Sequence, residues 1–481
     1  MCTVVAVRSG EIERLIQSSE QSSVAAPVAA VAPPPPPTPV SPRQFSRHVA
    51  WTLAVRILMV ANSVLAGIIV ARWLGAEGVG QLGVINVAVA MVVQLGSLGL
   101  PSANTYFIAR DQQHFFAAAM NSLFFAVVVG AALAFGLTVL AMWHPEWFNS
   151  ISPDLIRIAA ISIPFQLITL IGLNIFLAVG KVRRFNVLDL AGQSFVLFNA
   201  LIALVILRKD LWTLVSLNTV TSLAIGLLIV VLIGVYGTRL KDRQAHWRLD
   251  AGLLGGMLRY GLKFHISILA GAMIFRADLL VVNHFRGPAE AGVYSVASQF
   301  AMMLMLLPGV IATLLFPRVT AEQDAGGKTT ALVTRHTAFV MLVICLAAVP
   351  ISFILPALYG AAFSDASVQL LILLPGVYLI GLESVLVQHF NAIGLPPAIP
   401  LFWLLTLALN LLLVFALVPG FGARGAALAS TLSYLLIFVL VCVYFHLKTM
   451  RTISEILLLS PSEIRRLLFG KKWRPAAGGT G

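Results

Sequence analysis

Stretches of roughly 20 apolar residues, separated by short polar breaks, recur from about residue 49 to residue 446. A helix rises about 1.5 Å per residue, so a run of this length matches the roughly 30 Å hydrocarbon layer of a bilayer. The runs fall at about 49–70, 81–100, 117–141, 156–179, 187–207, 212–235, 264–285, 293–316, 335–357, 368–392, 399–418 and 424–446, which makes twelve expected spans. Composition agrees: 59% of the residues are hydrophobic and only 11% charged, against about a quarter charged in soluble domains. The expected fold class is an all-α integral membrane protein.

An even number of spans puts both termini on one side, and the basic residues say which side. The leader, the tail and the loops on the terminal side hold 24 Lys and Arg. The opposite loops and span edges hold six, namely Arg72, Arg157, Arg208, Lys209, Arg286 and Arg424. Both termini are therefore expected in the cytoplasm, and the net charge of +13 is accounted for by cytoplasmic loops rather than by nucleic-acid binding. The outer loops are short, the largest spanning about 142–155, which leaves no room for an extracytoplasmic catalytic domain.

Five segments are expected. Residues 1–45 form an Ala- and Pro-rich cytoplasmic leader containing Pro33 to Pro37, whose composition cannot bury a core. Residues 46–235 make a first six-helix bundle, and residues 236–263 a basic amphipathic cytoplasmic linker, read as an interfacial helix or a site for an anionic headgroup. Residues 264–446 make a second six-helix bundle. Residues 447–481 form a basic cytoplasmic tail with a capping-box pattern from Ser460 to Glu463. Cys2, Cys345 and Cys442 form neither a disulfide framework nor a metal-ligand spacing.

The two bundles carry echoes of one another. Gly75 and Gly80 in "GAEGVG" align with Gly287 and Gly292 in "GPAEAG" at an offset of 212, and Val84 aligns with Val296. Phe176, Ala178 and Gly180 match Phe390, Ala392 and Gly394 at an offset of 214. Two matches at nearly one offset, each following the equivalent helix, argue for a duplicated six-helix unit related by a pseudo-twofold along the membrane normal. Two like-oriented bundles enclose a cleft, and rocking one against the other exposes it to alternate sides.

Charges within spans are costly in hydrocarbon and mark candidate sites. Arg276 and Asp278 lie in span seven, Arg276 about 18 Å from its start and so near the midplane. Two residues apart on a helix, they point to different sides. Glu383, in span ten, sits at comparable depth, about 14 Å from the cytoplasmic end. Three readings stand: an Arg276–Glu383 ion pair, an Arg276 clamp on a phosphate, or carboxylates that exchange a proton or cation. Arg56, roughly 9 Å into span one, either snorkels to headgroups or lines the cleft. His389 near the inner end of span ten is an interfacial histidine or a proton relay. Asn62, Asn86, Gln94, Asn174, Gln299 and Asn410 are available to line a sugar cavity or to bond between helices. No phosphate-cradling Gly-x-x-x-x-Gly-Lys-Ser/Thr and no His-Glu-x-x-His occurs, so no cofactor is expected, and any transport draws on an ion gradient, the membrane potential or the substrate's own gradient.

"ARWLGAEGVGQLGVINVAVAMVVQLGSLGLPSANTYFIAR" (71–110) and "RADLLVVNHFRGPAEAGVYSVASQF" (276–300) resemble the polysaccharide transporters of the O-antigen flippase type. These belong to the multidrug/oligosaccharidyl-lipid/polysaccharide exporter superfamily, and the resemblance covers about residues 45–446. It implies a MATE-like fold in the bacterial cytoplasmic (inner) membrane and flipping of an undecaprenyl-diphosphate-linked oligosaccharide to the outer leaflet by alternating access. The product would feed exopolysaccharide or O-antigen synthesis, with a polysaccharide polymerase and chain-length machinery as partners beside membrane lipids, and with a proton or sodium as coupling ion. The resemblance matches Arg276 to the arginine of an Arg-x-Asp pattern and Arg56 to a basic residue early in span one. Together the readings assign Arg276, Arg56, Asn174 and Asn62 to substrate, and Asp278, Glu383 and His389 to ion coupling. Two rivals are a cation-coupled multidrug exporter of the same superfamily, which would favour acidic cavity residues, and an integral membrane glycan polymerase or ligase, which would need a large outer loop.

Overall fold

The computed structural model describes residues 42–149, 151–239, 248–322, 324 and 326–458, with no side-chain description for 42–50, 239, 317, 321 and 322. The compact unit begins at Val49. The leader up to residue 41, residues 240–247 of the linker, and the Ser460–Glu463 capping box lie outside the described residues. The helices are α1 (Pro42–Gly96), α2 (Leu100–Arg110), α3 (Phe115–Trp143), α4 (Pro153–Ala160), α5 (Ile163–Ala178), α6 (Val182–Ala200, continued by a π turn, Leu201–Ile206) and α7 (Leu211–Arg239). They continue as α8 (Ala251–Arg286), α9 (Pro288–Leu304), α10 (Leu306–Glu322), α11 (Lys328–Ser352), α12 (Leu355–Tyr359), α13 (Ser364–Ala392), α14 (Ala398–Thr449) and α15 (Ile453–Leu457).

Among the described residues ten helices or helix pairs are long and apolar enough to cross a membrane. Two of them, at 46 and 52 residues, are more than twice the length one crossing needs. Each is broken once, α1 at Gly75 (φ 67°, ψ −172°) and α14 at Gly422 (φ 59°, ψ −142°), conformations that a residue with a Cβ adopts only under strain. Counted as two legs each, they agree with twelve spans. The breaks define a hinge face; the ends of the same helices define the opposite, basic face.

Span seven starts earlier than expected. α8 begins at Ala251, capped by Asp250, whose Oδ1 accepts from the Leu253 amide at 2.9 Å. The Asp250 amide donates to Asn121 Oδ1 and its carbonyl accepts from Asn121 Nδ2, tying this start to α3. Residues 251–263, read from sequence as linker, thus form the first turns of the spanning helix. A local cap and a neighbouring asparagine set its start, which the hydrophobic pattern does not reveal.

Left-handed backbone positions recur at the offset of the glycine pattern. Positive φ occurs at Gly75 and Gly287, Asn149 and Gly360, Gly180 and Gly394, and Arg208 and Gly422, each pair 211–214 residues apart. The Lys181 amide donates to the Phe176 carbonyl and the Leu395 amide to the Phe390 carbonyl, both at 2.8 Å, closing two equivalent Schellman turns. Where the halves meet, a Cβ on Gly80 would fall on the Pro288 carbonyl and the Gly292 amide, and a Cβ on Gly292 on the Ala76 carbonyl and the Gly80 amide. The contact is reciprocal, as a twofold relation between the halves requires. Only glycine lets two helix backbones approach this closely.

Candidate functional site

Asp278 is buried in α8 at 4% exposure, among buried neighbours Ile274, Ala277 and Val281 on the same helix. Its Oδ2 accepts from the hydroxyls of Tyr294 on α9 and, at 2.9 Å, Ser430 on α14; its Oδ1 accepts from the Leu279 amide at 2.8 Å. Tyr434, in ring contact with Phe275 at 5.5 Å, closes the other side. Beside the carboxylate lies a cavity of ≈ 10 Å³ lined by Phe275, Tyr294, Ser298, Met302, Leu373 and Tyr434. That is room for about one water-sized ligand. No Lys, Arg or His pairs with Asp278 among the described residues. A carboxylate so placed has donors on three sides and no countercharge, and a proton or small cation would complete it.

Arg276, on the same helix, is exposed. Among the described residues it makes no hydrogen bond or ion pair, and Leu269, Met273 and Leu280 on its face are half-buried. The Arg276–Glu383 pair considered from sequence does not form. Glu383 is instead buried on α13 at 2% exposure, with its Oε1 unpartnered. Equal depth does not place two side chains on facing sides of their helices, and burial has taken Glu383 inside the second half.

Arg56 does not enter the cleft as a free cation: it pairs with Asp189 of α6 at 3.2 Å, with side-chain exposures of 39% and 21%. The pair is the middle rung of a ladder between α1 and α6. Asn186 Nδ2 donates to Thr52 Oγ1 at 3.0 Å on one side of it, and Asn62 Nδ2 to Ser194 Oγ at 2.9 Å on the other. Asn62 therefore serves an interhelical bond. Asn174 Nδ2 donates to the Leu170 carbonyl of its own helix at 2.9 Å. His389 is buried edge-on against Phe390 and Phe445, its Nδ1 unpartnered, apart from the Asp278 cluster. Asn410 bonds Ser433 at 3.1 Å, Gln299 bonds Ser63 across the halves at 2.7 Å, and Asn86 is exposed.

Of the seven candidates, the structure joins none directly to another, although Arg276 and Asp278 share a helix. Asp189, Tyr294, Ser430 and Tyr434 were missed by sequence reasoning. Asp189 was legible as a carboxylate two residues into span five, on the same side of the membrane from which Arg56 enters span one; hydroxyl side chains in apolar runs carry no such signal. A separate apolar groove of ≈ 470 Å³ among α3, α5 and α7, lined by Met120, Leu123, Phe124, Val127, Ile168 and Val230, includes none of the charged candidates.

Comparison with known proteins places this geometry. Residues 45–323 match the family model described as polysaccharide biosynthesis protein. Curated relatives include a probable flippase, AglR, of Haloferax volcanii, 27% identical over 43% of this chain and 44% of its own. Another is the succinoglycan biosynthesis transport protein ExoT of Rhizobium meliloti, 25% identical over 54% of this chain and 51% of its own. The chain thus matches about half the length of these relatives. Among solved structures, the lipid II flippase MurJ in an inward closed conformation aligns at a TM-score of 0.67 and 14% identity, covering 86% of this chain and 88% of that one. An inward-facing multidrug resistance MATE family transporter of the MOP superfamily aligns at 0.64 and 14% identity, covering 84% and 98%. At such identities these structures show the fold: all-α, multi-pass and MATE-like.

Proposed function

Because the chain belongs to the polysaccharide biosynthesis protein family, we propose that it is a flippase for an undecaprenyl-diphosphate-linked oligosaccharide, a transporter and not an enzyme. It works in the bacterial inner membrane by alternating access between the two six-helix halves. In this reading the hinge face is extracytoplasmic and both termini are cytoplasmic, which the excess of Lys and Arg on the terminal side supports.

One observation carries the reading: Arg276, near mid-span, is exposed with no protein partner among the described residues. A guanidinium in a membrane span without a countercharge needs water or an anion, and a diphosphate offers bidentate acceptors. Asp278, two residues on, holds the coupling proton or cation within the second half. Binding there alters the hydrogen bonds linking α8, α9 and α14, so ion occupancy biases how these helices pack. Glu383 and His389, buried and unbonded to that cluster, are secondary candidates for coupling.

The test is reconstitution of the purified protein into proteoliposomes carrying a labelled lipid-linked oligosaccharide, with exposure read from outside by an impermeant reagent. Protein-dependent acceleration is expected. No acceleration, together with counterflow of a cationic drug, would replace the flippase with the multidrug exporter.

A further inference from the structure

Two side chains one repeat apart make the same bond to opposite halves. Arg72 ends the first leg of α1; its Nε donates to the Leu358 carbonyl at 2.9 Å and its guanidinium also to the Ala357 carbonyl. His284 ends α8; its Nδ1 bonds the Glu146 carbonyl at 2.9 Å. Arg72 and His284 are 212 residues apart, and Glu146 lies 211 and 212 residues before Ala357 and Leu358. In each case the last turn of a half's first span grips the hinge-face loop between the third and fourth spans of the other half.

Each grip is reinforced by its surroundings. The Trp147 ring lies 5.5 Å from the His284 ring, and Asn149 Nδ2 donates to the Asn283 carbonyl at 3.1 Å. On the other side Tyr359 packs edge-on against Phe300, and its hydroxyl lies beside Gly67. Ala357 and Leu358 sit in the last turn of α12, where helical carbonyls lack intrahelical partners and accept side-chain donors. Eight residues after Arg72 and after His284 stand Gly80 and Gly292, the two partners of the backbone contact between the halves.

We propose that these are two equivalent clasps of one gate, which hold the hinge face closed and release together when the halves rock apart. The proposal rests on the alternating-access reading. The acceptors are main-chain carbonyls at a loop surface, so opening returns both partners to water and strands no buried charge, as a bond made and broken in every cycle requires. The two clasps differ in strength. Arg72 offers a permanently charged guanidinium with two bonds, and His284 a single ring nitrogen. Glu146 itself is held below the usual carboxylate range, chiefly by the hydrogen bond with His144 at 2.8 Å, so its side chain is engaged with His144 while its carbonyl serves the clasp.

The test places one cysteine at Ser295, half-buried beside Gly83 just inside the Gly80–Gly292 contact, with Cys2, Cys345 and Cys442 replaced. Labelling by an impermeant maleimide from the hinge-face side is then timed in proteoliposomes. Arg72→Met, which keeps length, and His284→Phe, which keeps the ring against Trp147, are each expected to speed labelling about tenfold. The double variant should be faster than either, and Arg72→Lys should restore part of the slow rate. Arg157→Met on the same face, which makes no bond across the halves among the described residues, is the control. Unchanged labelling in the double variant, or equal acceleration by Arg157→Met, overturns the proposal. If the double variant fails to elute as a folded species, the two single variants and Arg72→Lys decide on the same criterion. Labelling needs no cargo, so a gate that responds in a protein that flips no lipid-linked sugar would sink the function and leave the clasps.

Discussion

Arg276 and Asp278 stand two residues apart on one helix and meet opposite surroundings. The 200° between them turns one toward an accessible face and the other into a cage of hydroxyls. Since Arg276 has no protein partner among the described residues, Arg276→Gln should leave folding intact and slow flipping about 10-fold or more, the loss of a hydrogen bond to a charged group being worth about 1.5–3 kcal/mol. Flipping at the parent rate would remove Arg276 from the substrate path. Asp278→Asn keeps an acceptor for Tyr294 and Ser430, so the variant should fold, yet lose the dependence of transport on the imposed ion gradient; a retained dependence would move coupling elsewhere. For Arg56 the expectation is structural. Arg56→Ala leaves Asp189 without its countercharge and should lower thermal stability in detergent more than Arg56→Ala combined with Asp189→Ala.

At the scale of elements, the repeated glycines do two different jobs that the sequence does not separate. Gly75 breaks α1 at φ 67° with nothing within 4 Å of its missing side chain, so Gly75→Ala pays only local backbone strain, of order 1–3 kcal/mol. Gly80 and Gly292 instead let two backbones touch. Gly80→Ala and Gly292→Ala should each destabilise the closed hinge face, and the double variant by less than the sum, because the first substitution has already parted the helices. Strict additivity in thermal unfolding would show that the two do not share a contact. The same distinction explains what was readable beforehand. Alignment at one offset exposed the hinge as a copy; which of its glycines bends a chain and which admits a neighbour depends on the facing half.

Over the whole molecule, positions one repeat offset apart differ in their polar residues. At the repeat offsets, Asp278, Tyr294 and Ser430 of the second half correspond to Ala66, Leu82 and Ser216 of the first, while Arg56 and Asp189 correspond to Ile268 and Trp403. The Arg56–Asp189 pair and the carboxylate of Asp278 thus have no like-charged counterparts at the repeat offset. The cytoplasmic placement of both termini is checked by impermeant labelling of a cysteine at Thr449 and one at Arg72 in intact cells; only the hinge-face position should react, and the reverse pattern would invert the orientation. The sequence by itself determined the helical membrane class and gave a span count and a repeat offset with which the fold is consistent, since each follows from periodicity and length along one chain. Only the tertiary structure decided which charges meet. Arg56 found Asp189, Glu383 Oε1 found no partner among the described residues, and Arg72 and His284 found carbonyls some 140–290 residues away. Depth along a helix is a property of sequence, but the direction a side chain faces, and what stands there, exists only once the helices have packed.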